Sequence, residues 1–309
     1  MANTYGKVSG TFQEIDNAYG KVSGTWQEAD EIYAKVSGVW QLVFAAFEAT
    51  SYSTLSSGSG TFTVPQGANA IHVQAGVGAG GGGMRGVSYD KAGGESAGGG
   101  GGSGGFVSDK IFSVTEGETI SYSIGSGGAK GTGTYSGSAS GGTNTTLSGS
   151  TTGSLFTLNG GGGASASGGG VQGPLRSNTA GTAGSNTISG SVITSGTFRD
   201  NDGTSKNVTS NTSGPTGTFN DNGNGAVGGN NGNCGGDNCQ IGGSTGGASY
   251  SGNVAGGAGS PQGGSTGGTA GTRGSGGGGG GAQYGTESVT AVAGDGGAGE
   301  VKYRFLRVN

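Results

Sequence analysis

The sequence predicts a mostly β protein with three parts: short N-terminal β-hairpin repeats, an antiparallel β-sheet or sandwich, and a glycine-rich bundle of polyglycine II helices. Three observations predict it. A 14-residue unit recurs near the N-terminus, apolar residues alternate in two later segments and at the C-terminus, and 82 of the 309 residues are glycine. Leu, Ile, Val and Phe together number only 46, too few for an enzyme built around one large aliphatic core.

The repeat defines a first unit, residues 1–47. Tyr5, Tyr19 and Tyr33 stand 14 residues apart, each followed by a Lys-Val-Ser-Gly tetrapeptide and then by Phe12, Trp26 or Trp40. The Ser-Gly pair suits a tight turn of positive φ, so each unit reads as a hairpin, with Tyr, Val and Trp expected on one face. A lone hairpin is marginal in water, so the units must stack on each other or on a partner. They are read as a docking module through Tyr5, Phe12, Tyr19, Trp26, Tyr33 and Trp40; the alternative is a three-hairpin sheet that only caps the rest.

A second unit, 48–128, alternates strand signals with glycine runs. Phe62 and Val64, then Ile71 and Val73, flank a turn at 65–67, as a hairpin requires. Residues 111–114 and 120–124 repeat the design around a turn at 116–118. The third unit, 129–309, is rich in Gly, Ser, Thr and Asn and closes on an alternating strand with Val301, Tyr303 and Phe305. That returning strand argues against a free linker and for ordered glycines in threefold extended helices. Such helices have no internal hydrogen bonds, so neighbours must pair their backbone groups, and the missing Cβ permits the approach.

Several classes are excluded. Glycine lacks the strict every-third spacing of collagen, with only 4 Pro in the chain. The longest apolar run, 42–47, is too short for a membrane span. No apolar segment follows a basic start, so no secretory signal is expected. A net charge of −4 without a basic cluster argues against nucleic acid.

No cofactor, metal or enzyme is expected. His72, the single histidine, sits among alternating apolar residues and reads as a strand-face residue rather than a triad member. Cys234 and Cys239 form a C-x4-C pair without the further ligands zinc needs, leaving a small disulfide loop or two thiols. The run 78–83 satisfies a dinucleotide-type glycine pattern, but no helix-forming sequence follows. Asp200 and Asp202, like the 220–223 segment, resemble pieces of a calcium loop without its terminal Glu, and read as Asx turns.

Residues 60–83 (GTFTVPQGANAIHVQAGVGAGGGG) and the segment GGGGGSGGFVSDKIFSVTEGETISYSIGSGG after them resemble the glycine-rich domain of bacteriophage tail-fibre and tail-tip proteins. The later glycine runs at 160–163, 168–170, 242–247 and 276–281 are similar to those of T-even-type distal adhesins. The resemblance implies packed polyglycine II helices whose intervening loops bind the host surface. The N-terminal repeats depart from those adhesins, so the mode of attachment does not carry over.

The resulting expectation is a virion protein that attaches to fibre or tail proteins through its repeats and binds a bacterial surface receptor, protein or glycan, through loops; a homotrimer is compatible. Candidate loops are 84–92 with Tyr89, 147–158 with Leu155 and Phe156, 174–176 with Arg176, and 193–224 with Phe198, Arg199 and Phe219. Aromatic and Arg side chains supply large contact area at low entropy cost; otherwise Phe156, Phe198 and Phe219 pin loop ends to the core. The alternatives are a purely structural minor virion component of tail or capsid and, more remotely, an ice-binding polyglycine II protein.

Overall fold

The computed structural model describes residues 5–8, 11–14, 18–29, 31–45, 47–84, 95–96, 98–132, 137–167, 177–208, 233–234, 240–241, 246–248, 257–258, 268–279, 282–283 and 292–309. Among the described residues the regular structure is strand, with no helix, and the named strands pair antiparallel.

The repeat folds as three hairpins: β1 (Tyr5–Val8) with β2 (Thr11–Glu14), β3 (Ala18–Val22) with β4 (Thr25–Ala29), and β5 (Glu31–Val36) with β6 (Val39–Ala45). Ser23 and Gly24 have φ of 50° and 89°, and Ser37 and Gly38 have 51° and 87°. Two successive positive φ values make a turn whose twist matches that of the strands. The expected grouping of Tyr, Val and Trp on one face is corrected by the register. Lys21 lies opposite Trp26 and Lys35 opposite Trp40, whereas Val39 lies opposite Val36. Cross-strand partners share a face and neighbours alternate, so Trp40 sits with Lys35 and Tyr33, and Val39 on the other side. The hairpins are three separate two-stranded sheets.

The remaining strands are β7 (Ser53–Leu55), β8 (Ser59–Thr63), β9 (Ala70–Val77), β10 (Glu95–Ser96), β11 (Phe106–Ser113), β12 (Thr119–Ser123), β13 (Gly137–Ser138), β14 (Thr145–Gly149), β15 (Gly153–Leu158), β16 (Ser165–Ser167), β17 (Ser177–Thr179), β18 (Asn186–Ile188), β19 (Thr197–Arg199), β20 (Ser205–Asn207), β21 (Asn233–Cys234), β22 (Gln240–Ile241), β23 (Ala282–Gln283) and β24 (Glu300–Leu306). Two sheets, ordered β11-β9-β24-β7 and β18-β15-β14-β12-β8, contribute to one core. Ile71, Val73, Phe112 and Phe305 enter it from the first, and Ile120, Leu147, Phe156 and Leu158 from the second. Both sheets draw strands from either side of residue 128.

Neither expected central hairpin forms. β8 pairs with β12, and β9 with β11, so each strand-turn-strand unit crosses from one sheet to the other. The two turns bond to each other instead: Val64 N donates to Glu118 O at 2.9 Å, Gly117 N to Val64 O at 3.1 Å, and Val114 N to Asn69 O at 3.0 Å. Alternation is the same in a hairpin and in such an arch, because both present every second residue to the core. The 147–158 segment, expected as a loop, is instead the β14–β15 hairpin. Its turn is fastened by the Glu118 carboxylate, which accepts from the amides of Thr115, Thr151 and Thr152 at 2.7–3.1 Å. Burial opposes ionisation of Glu118, yet these amides and the Thr152 hydroxyl outweigh it and hold its pKa below the usual value.

The glycine segments pair with a period of three. From Gly78 to Met84 the amides donate in turn to the carbonyls of Gly105, Thr143, Gly297, Gly102, Ser140, Gly294 and Gly99, at 2.8–3.4 Å. The carbonyls of the same segment accept from three others: Gly161 and Ala164 donate to Ala79 and Gly82, Gly128 and Gly131 to Gly80 and Gly83, and Gly277 to Gly81. Segment 78–84 therefore has six backbone-bonded neighbours. At the periphery every third residue is exposed: Ser126, Ala129 and Thr132; Thr179, Thr182 and Ser185; Val292, Asp295 and Ala298. A Cβ built on Gly80 would overlap the Ser275 carbonyl, so only glycine fits there.

Direction follows from these partners. Segments 78–84, 124–131 and 159–164 continue β9, β12 and β15 away from the sandwich; 98–105, 139–144, 180–185 and 292–299 run back into β11, β14, β18 and β24. The small sheets β10-β21, β22-β23 and β13-β16-β17 adjoin the far ends.

Replacing Gly80 with Ala is expected to lower unfolding stability by roughly 3 kcal/mol or abolish folding. Gly141→Ala, where the nearest atom stands 3.2 Å from an added Cβ, costs less than about 1 kcal/mol. Urea unfolding of the two variants measures the difference.

Candidate functional site

The densest side-chain chemistry among the described residues lies on the outer face of the four-stranded sheet. On β24 alternation turns Arg304 and Leu306 outward, and the register sets Arg304 against His72 and Leu306 against Ala70. The β19–β20 hairpin folds over this face, and Phe198 and Val208 pack with Ala70, Ile111 and Leu306. The Arg304 guanidinium is thereby enclosed, 4.6 Å from the Tyr52 ring centroid and 5.5 Å from that of Phe198. Flat cation on aromatic face is a favourable contact that strengthens when water is excluded.

Asp200, at the end of β19, answers the buried cation. Its Oδ1 accepts from Arg304 Nη1 at 2.6 Å, its Oδ2 from Lys206 Nζ, and Asn201 N adds a further bond at 2.9 Å. The Lys206 bond, set against desolvation and joined by Asn201 and Arg304, brings the Asp200 pKa down to about 2. The next carboxylate, Asp202, accepts from the Thr204 amide at 2.9 Å and from its hydroxyl at 2.5 Å. Segment 200–204 is thus a turn with Gly203 at φ 77°, and its carboxylates serve internal donors. No cluster of three or more metal-ligating side chains occurs among the described residues.

Beside Arg304, His72 Nδ1 lies 3.0 Å from the Tyr52 hydroxyl, and Nε2 lies 3.5 Å from Asp109. Asp109 has φ 45°, in the left-handed region uncommon for a side chain with a Cβ, and lies between the Ser108–Ala75 and Lys110–Val73 pairs, across which the β9–β11 register is unchanged. Alternation puts it on the same face as Ile111, the cross-strand partner of His72. Burial raises the Tyr52 pKa against the opposing pull of Arg304. The assembly is a chain of ion pairs and ring contacts that clamps residues 197–208 to the sheet; in the sequence, Tyr52, Asp109 and Arg304 carried no signal of it beyond strand alternation.

The residues singled out from the sequence scatter. Leu155 and Phe156 are 0% exposed, so in this fold they are core residues with no face for a partner; Leu155 is the extra residue where the β14–β15 register shifts. Phe198 is buried under its own hairpin, and Arg199 pairs with Glu48 at 3.2 Å. Tyr89, Arg176, Phe219 and Cys239 lie outside the described residues; Cys234 lies on β21 opposite Glu95. Tyr5, Phe12 and Tyr19 stand on β1, β2 and β3, and Trp26, Tyr33 and Trp40 are exposed.

Two expectations follow. Phe156→Ala lowers stability by about 3–5 kcal/mol, read by chemical denaturation. Asp200 has a folded pKa below the ordinary value of 3.8, so its contribution is present above that value and lost as pH falls from about 4 towards about 2. Urea midpoints of wild type and Asp200→Asn therefore differ at neutral pH and converge over that acid window.

A glycine-rich domain family matches residues 54–306, a span that includes both sheets and the glycine segments. No curated protein matches the chain. With the greater part of its length covered by that match, the chain belongs to the glycine-rich domain family.

Proposed function

We propose that this chain is a bacteriophage virion protein, of the tail fibre or tail tip, acting as a receptor-binding adhesin. Its glycine segments form a polyglycine II bundle, its N-terminal hairpins attach it to other virion proteins, and the segments joining the far ends of the bundle contact the bacterial surface. The bundle reading is supported by the threefold pairing, by the six neighbours of segment 78–84 and by exposure of every third residue at the edge. The observation that carries the functional reading is the out-and-back path of the glycine segments. The outward segments reach Met84, Thr132 and Ala164, and the returning ones start from Gly98, Ala139, Ala180 and Val292, at the end remote from the sandwich; we propose that the sequence joining them, within 85–97, 132–138, 165–179 and 280–291, supplies the contacts. A rigid scaffold presenting several joined loops at one end is a recurrent plan for recognition. Tyr89 and Arg176 fall in two of these segments and are the residues proposed to touch the receptor.

The test is saturable binding of the purified full chain to candidate host cells, with whole particles as competitor. The expected result is binding that particles block and that Tyr89→Ala with Arg176→Ala weakens at least about tenfold, with thermal unfolding unchanged. A folded chain that binds no cells that the particle adsorbs to, and particles that adsorb normally with both substitutions, would leave a structural virion role instead.

A further inference from the structure

We infer that the tryptophan-bearing faces of the N-terminal hairpins pack against the same faces of a second copy of this chain, making residues 1–47 a self-association module. The inference rests on the reading of the repeats as the attachment module and goes beyond it by naming what covers them. Among the described residues each hairpin pairs as a two-stranded sheet, a size of ribbon that is marginal in water unless one face is covered. Lys21 and Trp26, and Lys35 and Trp40, are directly opposed and all four are exposed. Both tryptophans are 67% exposed, the highest value among the large hydrophobic residues described. Covering four such indoles in a pair of chains removes on the order of 600 Å² from water, about half of what a small stable interface buries.

Spacing and charge select the occupant. One residue separates β4 from β5, and three separate β2 from β3. At about 3.5 Å per residue, successive hairpins are held within roughly 7 and 14 Å of one another end to end. A partner must therefore repeat its acceptor face three times at the same close step. The module of a second copy does so by construction, and a two-fold contact needs only a self-complementary surface. The repeat meets that requirement: the register pairs Lys7, Lys21 and Lys35 with Phe12, Trp26 and Trp40, and pairs Tyr5 and Tyr19 with Glu14 and Glu28. Each of the first two units thus carries one cation and one anion, and a two-fold arrangement sets the Lys of one copy against the Glu of the other.

The chain contains 2 Trp, both on this module, so indole fluorescence reports on this face alone. Sedimentation of the full chain from about 1 to 50 µM is expected to show dimers or larger species, with tryptophan emission moving to shorter wavelength as they form. Trp26→Ser with Trp40→Ser should weaken association at least about tenfold while the body unfolds at the same temperature. Two charge variants, Lys7→Glu with Lys21→Glu and Lys35→Glu, and Glu14→Lys with Glu28→Lys, should each associate poorly and recover when mixed. A wild-type chain that stays monomeric across the range with solvent-exposed emission, or a double Trp variant that associates like wild type, overturns the inference. Neither outcome depends on cells, so failure of cell binding with self-association intact counts against the adhesin reading alone.

Discussion

The constraint on which the rest of the structure depends is contact between backbones. Amides in segment 78–84 reach carbonyls of three neighbouring segments, and the carbonyls of that segment receive amides from three more. At such approach the positions from Gly80 to Gly83 accommodate no Cβ, as the overlap of Gly80 with the Ser275 carbonyl demonstrates. Ordering a glycine costs about 1–2 kcal/mol, and an unpaired buried backbone group adds its desolvation penalty. The lattice is stable only when nearly every group is paired, so its interior admits few side chains, among them those of Ala79, Met84, Ser103 and Ala164. A chain with so many glycines and so few aliphatic residues is the compositional image of that requirement.

A lattice of identical units carries no information about register, because sliding one glycine segment by three residues restores the same bonds. The sandwich supplies it. Segments 78–84, 98–105, 124–131, 139–144, 159–164, 180–185 and 292–299 are continuous with strands of the two sheets, and those strands are fixed by large side chains that fit only one way: Phe112, Phe156 and Phe305 in the core, with Phe62 stacked on Tyr303 at 4.6 Å. The outer clamp of Arg304, Asp200 and Tyr52 does related work, tying the excursion through 197–208 to the sheet. Side-chain specificity at one end thus determines a backbone assembly at the other.

The sequence disclosed those elements whose signal is local. The three hairpins were legible in Ser-Gly turns, the strands in alternation, and the closing strand in Val301, Tyr303 and Phe305. Sheet membership was not, since residues 62–64 and 71–73 alternate identically whether they pair with each other or cross between sheets. The β14–β15 hairpin was missed, because a stretch rich in Ser, Thr and Gly reads as a loop until Leu147 is seen to face Phe156; only the alternative that Phe156 anchors to the core anticipated its burial. The grouping of Val with Tyr and Trp ignored that Val follows Lys by a single position. The polar cluster joins residues from 52 to 304, a separation no spacing argument reaches.

The exchange of apolar core for backbone pairing also has a thermal consequence. Exposure of apolar surface raises the heat capacity on unfolding, whereas exposure of peptide groups lowers it. Here the lattice segments bury carbonyls and amides with few apolar side chains among them, Met84 and Ala164 being an exception. The heat-capacity increment per residue should then fall below the usual value of about 12–15 cal/mol/K, a quantity that scanning calorimetry reads directly. A small increment flattens the dependence of stability on temperature. The same glycine segments that leave no room for a methyl group would keep the body folded with nearly constant margin from cold water to warm.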